Sequence, residues 1–299
     1  MNKPTITVIG SINMDLVTVA VRFPNQGETI LGEQFLTTPG GKGANQAVAA
    51  ARLGANVRMI GAVGDDSFGK ELVRSLRYEG ISVDHVKPVT HERTGIASIT
   101  ISEQDNRIIV VPGANHALTP EDLDSCESVI AESDVCLLQL EIPLPVVERA
   151  VSIAYRHGVR VIVNPAPAQP LPLVVLEQAS FLTPNEHERT ILFDKMDEEA
   201  FADKLIVTEG AKGVRIWQDG QERLIPSFQV PVVDTTGAGD TFNGALAVAL
   251  AEGKPLDEAC RFANAAAALS VTKLGAQAGM PRRQEVESVF VQTEGESVM

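Results

Sequence analysis

Val135-Cys136-Leu137-Leu138-Gln139-Leu140, a helical apolar pattern over 145–157, and Val159-Arg160-Val161-Ile162-Val163 follow one another within 29 residues. The two outer runs are short, apolar and uninterrupted, the signature of strands buried on both faces rather than half-solvated ones. A helix between two such strands is the unit of a parallel sheet. Working outward, the alternation continues. Further strand-like runs lie at 5–9, 57–61 and 204–208, and helical patterns at 43–53, 67–79 and 119–132. Thr119-Pro120-Glu121-Asp122 has the N-cap, early proline and acids of a helix start. The expected fold class is α/β: one domain over 1–299, a mainly parallel sheet flanked by helices on both faces, with ligands at the carboxyl ends of its strands.

Two stretches break the pattern. Residues 16–37 and 94–111 carry β-branched, partly alternating runs (Val17-Thr18-Val19, Ile96 to Ile101, Ile108 to Val111), with a turn at Gln104-Asp105-Asn106. They predict antiparallel strands outside the main sheet, either a small lid or an edge extension.

Composition narrows the function. Of 299 residues, 44% are hydrophobic and 4% aromatic, so the core must rest on Val, Ile, Leu and Ala. The 39 acidic against 25 basic residues give a net charge of −14, with no basic stripe. Such a surface repels nucleic-acid phosphates and anionic lipid, so neither partner is expected. An anionic substrate would need a local device, a cation or oriented backbone N–H groups. Cys126, Cys136 and Cys260 stand far apart and form no C-x-x-C, which suits a reducing cytoplasm and offers no zinc site. The five histidines form no metal-binding pair. No apolar run is long enough to span a bilayer, and the expected location is cytoplasmic.

Chemistry concentrates in three segments. In Val233-Asp234-Thr235-Thr236-Gly237-Ala238-Gly239-Asp240-Thr241-Phe242, a turn of small residues leads into a helical run from Thr241 to Glu252. Unpaired N–H groups at a helix start attract an anion. A carboxylate there would repel phosphate, which makes sense if Asp240 is a base accepting a proton from an incoming hydroxyl. As a plain alternative, Asp240 caps the helix. The second segment, Pro39-Gly40-Gly41-Lys42-Gly43-Ala44-Asn45-Gln46, also opens a helix on glycines, yet is neither a Walker A loop nor a dinucleotide fingerprint. Lys42 and Asn45 there would present donors to a polyhydroxyl ligand. The third, Gly10-Ser11-Ile12-Asn13-Met14-Asp15, places polar groups just past the first strand.

Together these segments resemble the ribokinase-like (PfkB) family of carbohydrate kinases. Gly40 to Asn45 and Asp234 to Asp240 are similar to its two signature patterns. So are Gln139-Leu140-Glu141, Asn164-Pro165-Ala166-Pro167-Ala168, Thr183-Pro184-Asn185-Glu186, Arg261 to Ala266 and Gly275-Ala276-Gln277 to further family segments. The resemblance implies that Asn13, Met14, Asp15, Gly41, Lys42, Gly43, Ala44, Asn45 and Glu141 surround a sugar, with Asp240 as catalytic base. It implies an anion hole at Gly237, Ala238 and Gly239, and a magnesium–phosphate network through Asn185 and Glu188. The adenine nucleotide would be bordered by Thr208, Glu209, Gly210, Ala211, Lys212, Gly213 and Asn264, reaching Asn185, Gly239 and Asp240. A monovalent cation, K⁺, would sit among Asp234, Thr236, Ser270, Lys273, Gly275 and Gly279. The implied reaction is ATP-dependent phosphorylation of D-ribose at its 5-hydroxyl, in a homodimer joined through the lid. Other small acceptors (2-deoxyribose, fructose, a phosphosugar, a nucleoside) stay open, as does a sugar-binding regulatory protein without catalysis. Only 22 residues separate Asn185 from Thr208. That is shorter than in many relatives, and it leaves one flank of the nucleotide site, 189–204, undefined.

Overall fold

The computed structural model describes residues 3–102, 105–194 and 196–296. Its strands are β1 (Thr5–Ile9), β2 (Asn13–Val19), β3 (Gln34–Gly40), β4 (Asn56–Gly64), β5 (Ser82–Val89), β6 (Gly95–Ser102), β7 (Asp105–Val111), β8 (Val135–Leu138), β9 (Arg160–Val163), β10 (Phe181–Leu182), β11 (Ile206–Thr208), β12 (Gly213–Gln218) and β13 (Gln221–Pro226). Six of them form the central sheet in the order β10-β9-β8-β1-β4-β5, every pair parallel. The quoted β8–helix–β9 stretch is at its centre, with all four residues of β8 buried.

Alternate residues of the central strands feed two cores. Ile6, Val8, Val135 and Leu137 pack with the helices Lys42–Arg52, Ala238–Ala251 and Leu256–Ser270. Ile9, Cys136 and Leu138 pack on the other face with Pro120–Ser125, Leu144–Arg156 and Leu173–Gln178. The helical pattern over 119–132 is two short helices, interrupted at Cys126, which ends the first and caps the second. Thr119 and Asp122 form the expected capping box.

The interrupted stretches form a separate four-stranded sheet, β3-β2-β6-β7. Its outer pairs are antiparallel, as expected, whereas β2 and β6 run parallel. The reason is topological. Both follow strands of the same parallel sheet, β1 and β5, and leave it in the same direction; β3 and β7 are the return strands. Gln104, in the expected turn between β6 and β7, lies outside the described residues.

A hairpin, β12–β13, and β11 form a third, antiparallel sheet. It joins the central sheet through the parallel bridges Leu182↔Leu205 and Asn185↔Thr208. The short 189–204 segment is closed by the helix Glu186–Leu192 and a 3₁₀ turn, Glu199–Lys204. Phe193 stacks on Phe201 at 6.2 Å, and Arg189 pairs with Glu198 at 2.5 Å. Among the described residues no helix is long and apolar enough to cross a membrane.

Candidate active site

Two cavities meet at the turn 236–240. The first, about 660 Å³, is roofed by the lid through Ala97, Ile99, Ile108 and Val110, and floored by the start of the helix Lys42–Arg52. Asn13, Asp15, Gly41, Lys42, Asn45, Glu141 and Asp240 all line it, so residues spread over 228 positions converge on one cleft. Strand alternation decides which neighbours join them. Asn13 and Asp15 project from β2 into the cleft, and Met14 between them is fully buried in the core. Ala44 likewise faces the core, and Gly43 is packed against the backbone of Gly10 and Ser11. The side chain of Met14 and the residues Gly43 and Ala44 are therefore structural parts of the cleft rather than its lining.

Glu141 organises the floor. Its Oε2 accepts from Ser11 Oγ at 2.6 Å and from the Lys42 N–H at 3.3 Å. Asn115, which the sequence reading did not single out, donates to Asn13 Oδ1 at 2.7 Å and accepts from the Ile12 N–H at 2.9 Å. Asp240 Oδ2 accepts from Asn45 Nδ2 at 3.0 Å, and its Oδ1 from Gln46 Nε2 at 3.2 Å.

Electrostatically the cleft gathers four carboxylates, Asp15, Glu141, Glu188 and Asp240, around one lysine. Burial pushes Asp240 up from the ordinary carboxylate range, while Lys42 and the two amide donors pull it back. Burial, reinforced by Glu141 and Asp240, pushes Asp15 up to about 7 against the opposing effect of Lys42. Burial alone would lower Lys42, but Asp240, Glu141, Glu188 and Asp15 outweigh it and hold the ammonium charged. Lys42 is the local cation that a phosphate would need on so acidic a protein.

The second cavity, about 630 Å³, lies across the turn. Asn185, Thr208, Gly210, Ala211, Gly213, Gly239 and Asn264, all expected at the nucleotide, line it together with Ala238 of the expected anion hole. Three of the residues expected at the nucleotide, Glu209, Lys212 and Asp240, do not. Glu209 turns away to pair with Arg215 at 2.5 Å, and Lys212 lies 3.6 Å from Glu186 at the surface. Asp240 opens into the first cavity, not this one. The apolar walls come from Phe228, Val230, Val232 and Val271, together with Ala267 and Ala268. An apolar slot with a polar rim suits a flat heteroaromatic base.

Between the cavities, the helix Ala238–Ala251 begins three residues before the Thr241 start read from the sequence. Gly237 is its N-cap at φ 78, a left-handed conformation that glycine adopts without strain. The Ala238 N–H donates to the Thr235 carbonyl at 3.2 Å, and the other first-turn N–H groups of this 14-residue helix, which lack an i−4 carbonyl, lie at the junction of the two cavities.

Asn185 and Glu188 bridge the same junction. They cap the helix Glu186–Leu192 reciprocally, at 2.8 and 2.9 Å. Asn185 lines the second cavity and Glu188 the first. Burial raises Glu188 above the ordinary range. Among the described residues no group of three or more His, Cys, Asp or Glu is arranged to hold a metal ion by itself. Two oxygens facing a phosphate site fit magnesium that keeps most of its water and binds with a nucleotide.

On the outer side of the turn, Asp234 accepts from the Thr236 N–H at 2.9 Å, Thr236 Oγ1 at 2.7 Å and the Gly275 N–H at 2.8 Å. Despite partial burial, these donors lower its carboxyl below the ordinary range. A Cβ on Gly279 would lie 2.3 Å from the Ser270 carbonyl oxygen, so a side chain there would crowd that carbonyl, whereas the Lys273 carbonyl, at 3.6 Å, lies in ordinary contact. A carboxylate and converging carbonyls are the donor set of a hard monovalent cation.

The pfkB family carbohydrate kinase model matches residues 3–283. The chain is 52% identical over 289 residues to ribokinase of Bacillus subtilis, covering 95% of this chain and 99% of that protein. It is 38% identical to deoxyribokinase of Salmonella typhi, covering 92% and 95%. Its fold is similar to Arabidopsis thaliana ribokinase complexed with ribose and ATP, with a TM-score of 0.88 and 34% identity over 96% of this chain and 98% of that one.

Proposed function

The chain belongs to the pfkB family of carbohydrate kinases, and from that membership we propose how this site phosphorylates ribose. The protein is an ATP-dependent ribose kinase. The acceptor is the 5-hydroxyl, and the carrying observation is the placement of Asp240: its carboxylate lines the first cavity one residue from a glycine turn that lines the second.

Ribose occupies the first cavity. Asp15 accepts from its hydroxyls, Asn13, Lys42 and Asn45 donate or accept around the ring, and the apolar lid residues cover its carbon face. ATP occupies the second cavity, with its γ-phosphate against the N–H groups of Gly237 to Gly239. Phosphoryl transfer needs alignment and charge neutralisation more than covalent chemistry. Asp240 takes the proton of the attacking hydroxyl, and the fixed N–H groups stabilise the charge that develops on the transferred group. Asn185 and Glu188 would hold magnesium entering with the nucleotide, which would supply further neutralisation of the phosphate charge. Asp234 and the carbonyls near Ser270 and Lys273 would hold a monovalent cation such as K⁺, whose charge would steady the loop carrying the anion hole, and leaving it out should lower turnover.

The active unit is a homodimer joined through the lids. Phe35, Ile109 and Val111 on one lid face, and Leu36, Ile108 and Val110 on the other, are exposed in the single chain. A flat apolar sheet with open edges invites pairing. Sedimentation at micromolar concentration should therefore give twice the chain mass; a fully active monomer excludes the dimer.

The decisive experiment is an ADP-release assay over pentoses and hexoses. Ribose should give the highest kcat/KM. A higher value for 2-deoxyribose would reassign the acceptor, and tight ribose binding without turnover would exclude a kinase.

A further inference from the structure

Neither amide that donates to Asp240 is free to rotate. Gln46 is fully buried, and its Oε1 accepts from Gln139 Nε2 at 2.7 Å. Its Nε2 donates to Asp240 Oδ1 and to Asn164 Oδ1, both at 3.2 Å. Asn164 is itself fixed, because its Nδ2 donates to the main-chain carbonyl of Thr183 at 3.1 Å. A carbonyl can only accept, so the sense of the whole chain is set at that point. On the other side, Asn45 Oδ1 accepts from Gln277 Nε2 at 3.0 Å, which leaves Asn45 Nδ2 for Asp240. The arrangement is held at a cost: Gln139 Oε1 is buried with no partner among the described residues.

We propose that Asn164 and Gln277 are positioning residues that fix the amide sense of Gln46 and Asn45, so that both oxygens of Asp240 face N–H donors and the carboxylate stays an acceptor pointed at the sugar hydroxyl. This rests on Asp240 being the base. The site needs such a device, because burial favours the protonated acid, and a protonated Asp240 cannot take the hydroxyl proton. The charged groups facing Asp240 are Lys42, which favours the carboxylate, and Glu141 and Asp15, which oppose it. One lysine shared among several carboxylates leaves work for the neutral donors. Unlike a second lysine, they add no charge to attract the γ-phosphate away from the anion hole.

The test uses Gln277→Met and Gln46→Met, near-isosteric replacements without a donor, in the full chain with ribose and Mg-ATP. Gln277 is half-buried in a four-residue helix, so its variant should fold even if the buried Gln46 variant does not. Two quantities are read: kcat against pH, and the titration of the Asp240 carboxyl by ¹³C NMR of aspartate-labelled protein, assigned by its loss in Asp240→Asn. In either variant the acid limb of kcat should move up by about one pH unit, the scale expected for a charged hydrogen bond, while the alkaline plateau is kept. The carboxyl titration should move with it. A kcat lowered equally at every pH, with the carboxyl titration unmoved, overturns the proposal. If Asp240→Asn keeps its kcat, the base assignment fails; a carboxyl titration that still moves in Gln277→Met then upholds the positioning of Asp240 by itself.

Discussion

Asp15 and Asp240 are buried carboxylates in one cleft, near the same lysine, and they are held in opposite ways. Asp240 has a donor on each oxygen, from Asn45 and Gln46. Asp15 has none among the described residues, and its oxygens open into the cavity. A buried polar group without a partner costs roughly 1–3 kcal/mol, so a fold keeps one only where something else will satisfy it. Asp15 is therefore shaped for a ligand that brings its own donors, whereas Asp240 is kept ready as an acceptor by donors the protein supplies. On the roles proposed above, recognition and reaction are divided between two copies of the same side chain by what surrounds each.

Removing the basicity of Asp240 is the harshest way to break this division. Asp240→Asn keeps the shape of the site, so ribose and an ATP analogue should still bind. General-base assistance is worth about 10²–10⁴ in rate, and kcat should fall by about that factor. The check is kcat with dissociation constants measured separately. A fall below about tenfold, with chemistry rate-limiting, would reduce Asp240 to a helix-start residue.

How far this division could be read from the sequence differs between its two halves. The α/β class and the parallel strands were legible because apolar runs are local signals, whereas the grouping of Asn13, Asp15, Lys42, Asn45, Glu141 and Asp240 was legible only through the family resemblance. The buttressing of Asp240 was not. Gln46, Gln139, Asn164 and Gln277 are ordinary amides in sequence, and only the fold brings them together across more than 200 positions. Met14 leaves the cleft lining for a similar reason: its segment was read as a unit, although period-two alternation turns its side chain into the core. Glu209 and Lys212 were assigned with their loop, but Arg215 and Glu186 draw their side chains off. The hairpin β12–β13 did leave a signal, Asp219-Gly220 between two partly alternating runs, a favoured two-residue turn. The reading passed over it because the apolar residues there are few.

Truncating Asp15 probes the recognition half. Asp15→Ala should cost about 2 kcal/mol or more in kcat/KM for ribose, the scale of lost charge-assisted hydrogen bonds, with ATP binding unchanged. Calorimetry with each ligand separates the two. Equal losses for both would make Asp15 a structural residue and erase its contrast with Asp240.

The smallest expected effect discriminates most finely, because it asks which protonation state the free site holds. Burial, with Glu141 and Asp240 near, raises Asp15 from 3.8 to about 7. Between those values the folded, ligand-free protein carries a proton on Asp15 that the unfolded chain has released. The contribution of Asp15 to stability therefore falls as pH rises through that window, by at most about 1.4 kcal/mol per pH unit. Ribose binding has the opposite sign. Its hydroxyls donate to the carboxylate and expel the proton, so affinity should rise toward pH 7, at most about tenfold per unit, and level off above. At pH 6, calorimetry in two buffers of different ionisation enthalpy should register close to one proton released per ribose; at pH 8.5 it should register almost none. Asp15→Asn should lose this release at pH 6. If the wild type releases no proton there, Asp15 is already ionised in the free protein, and the difference between the two carboxylates lies in their hydrogen-bond partners alone.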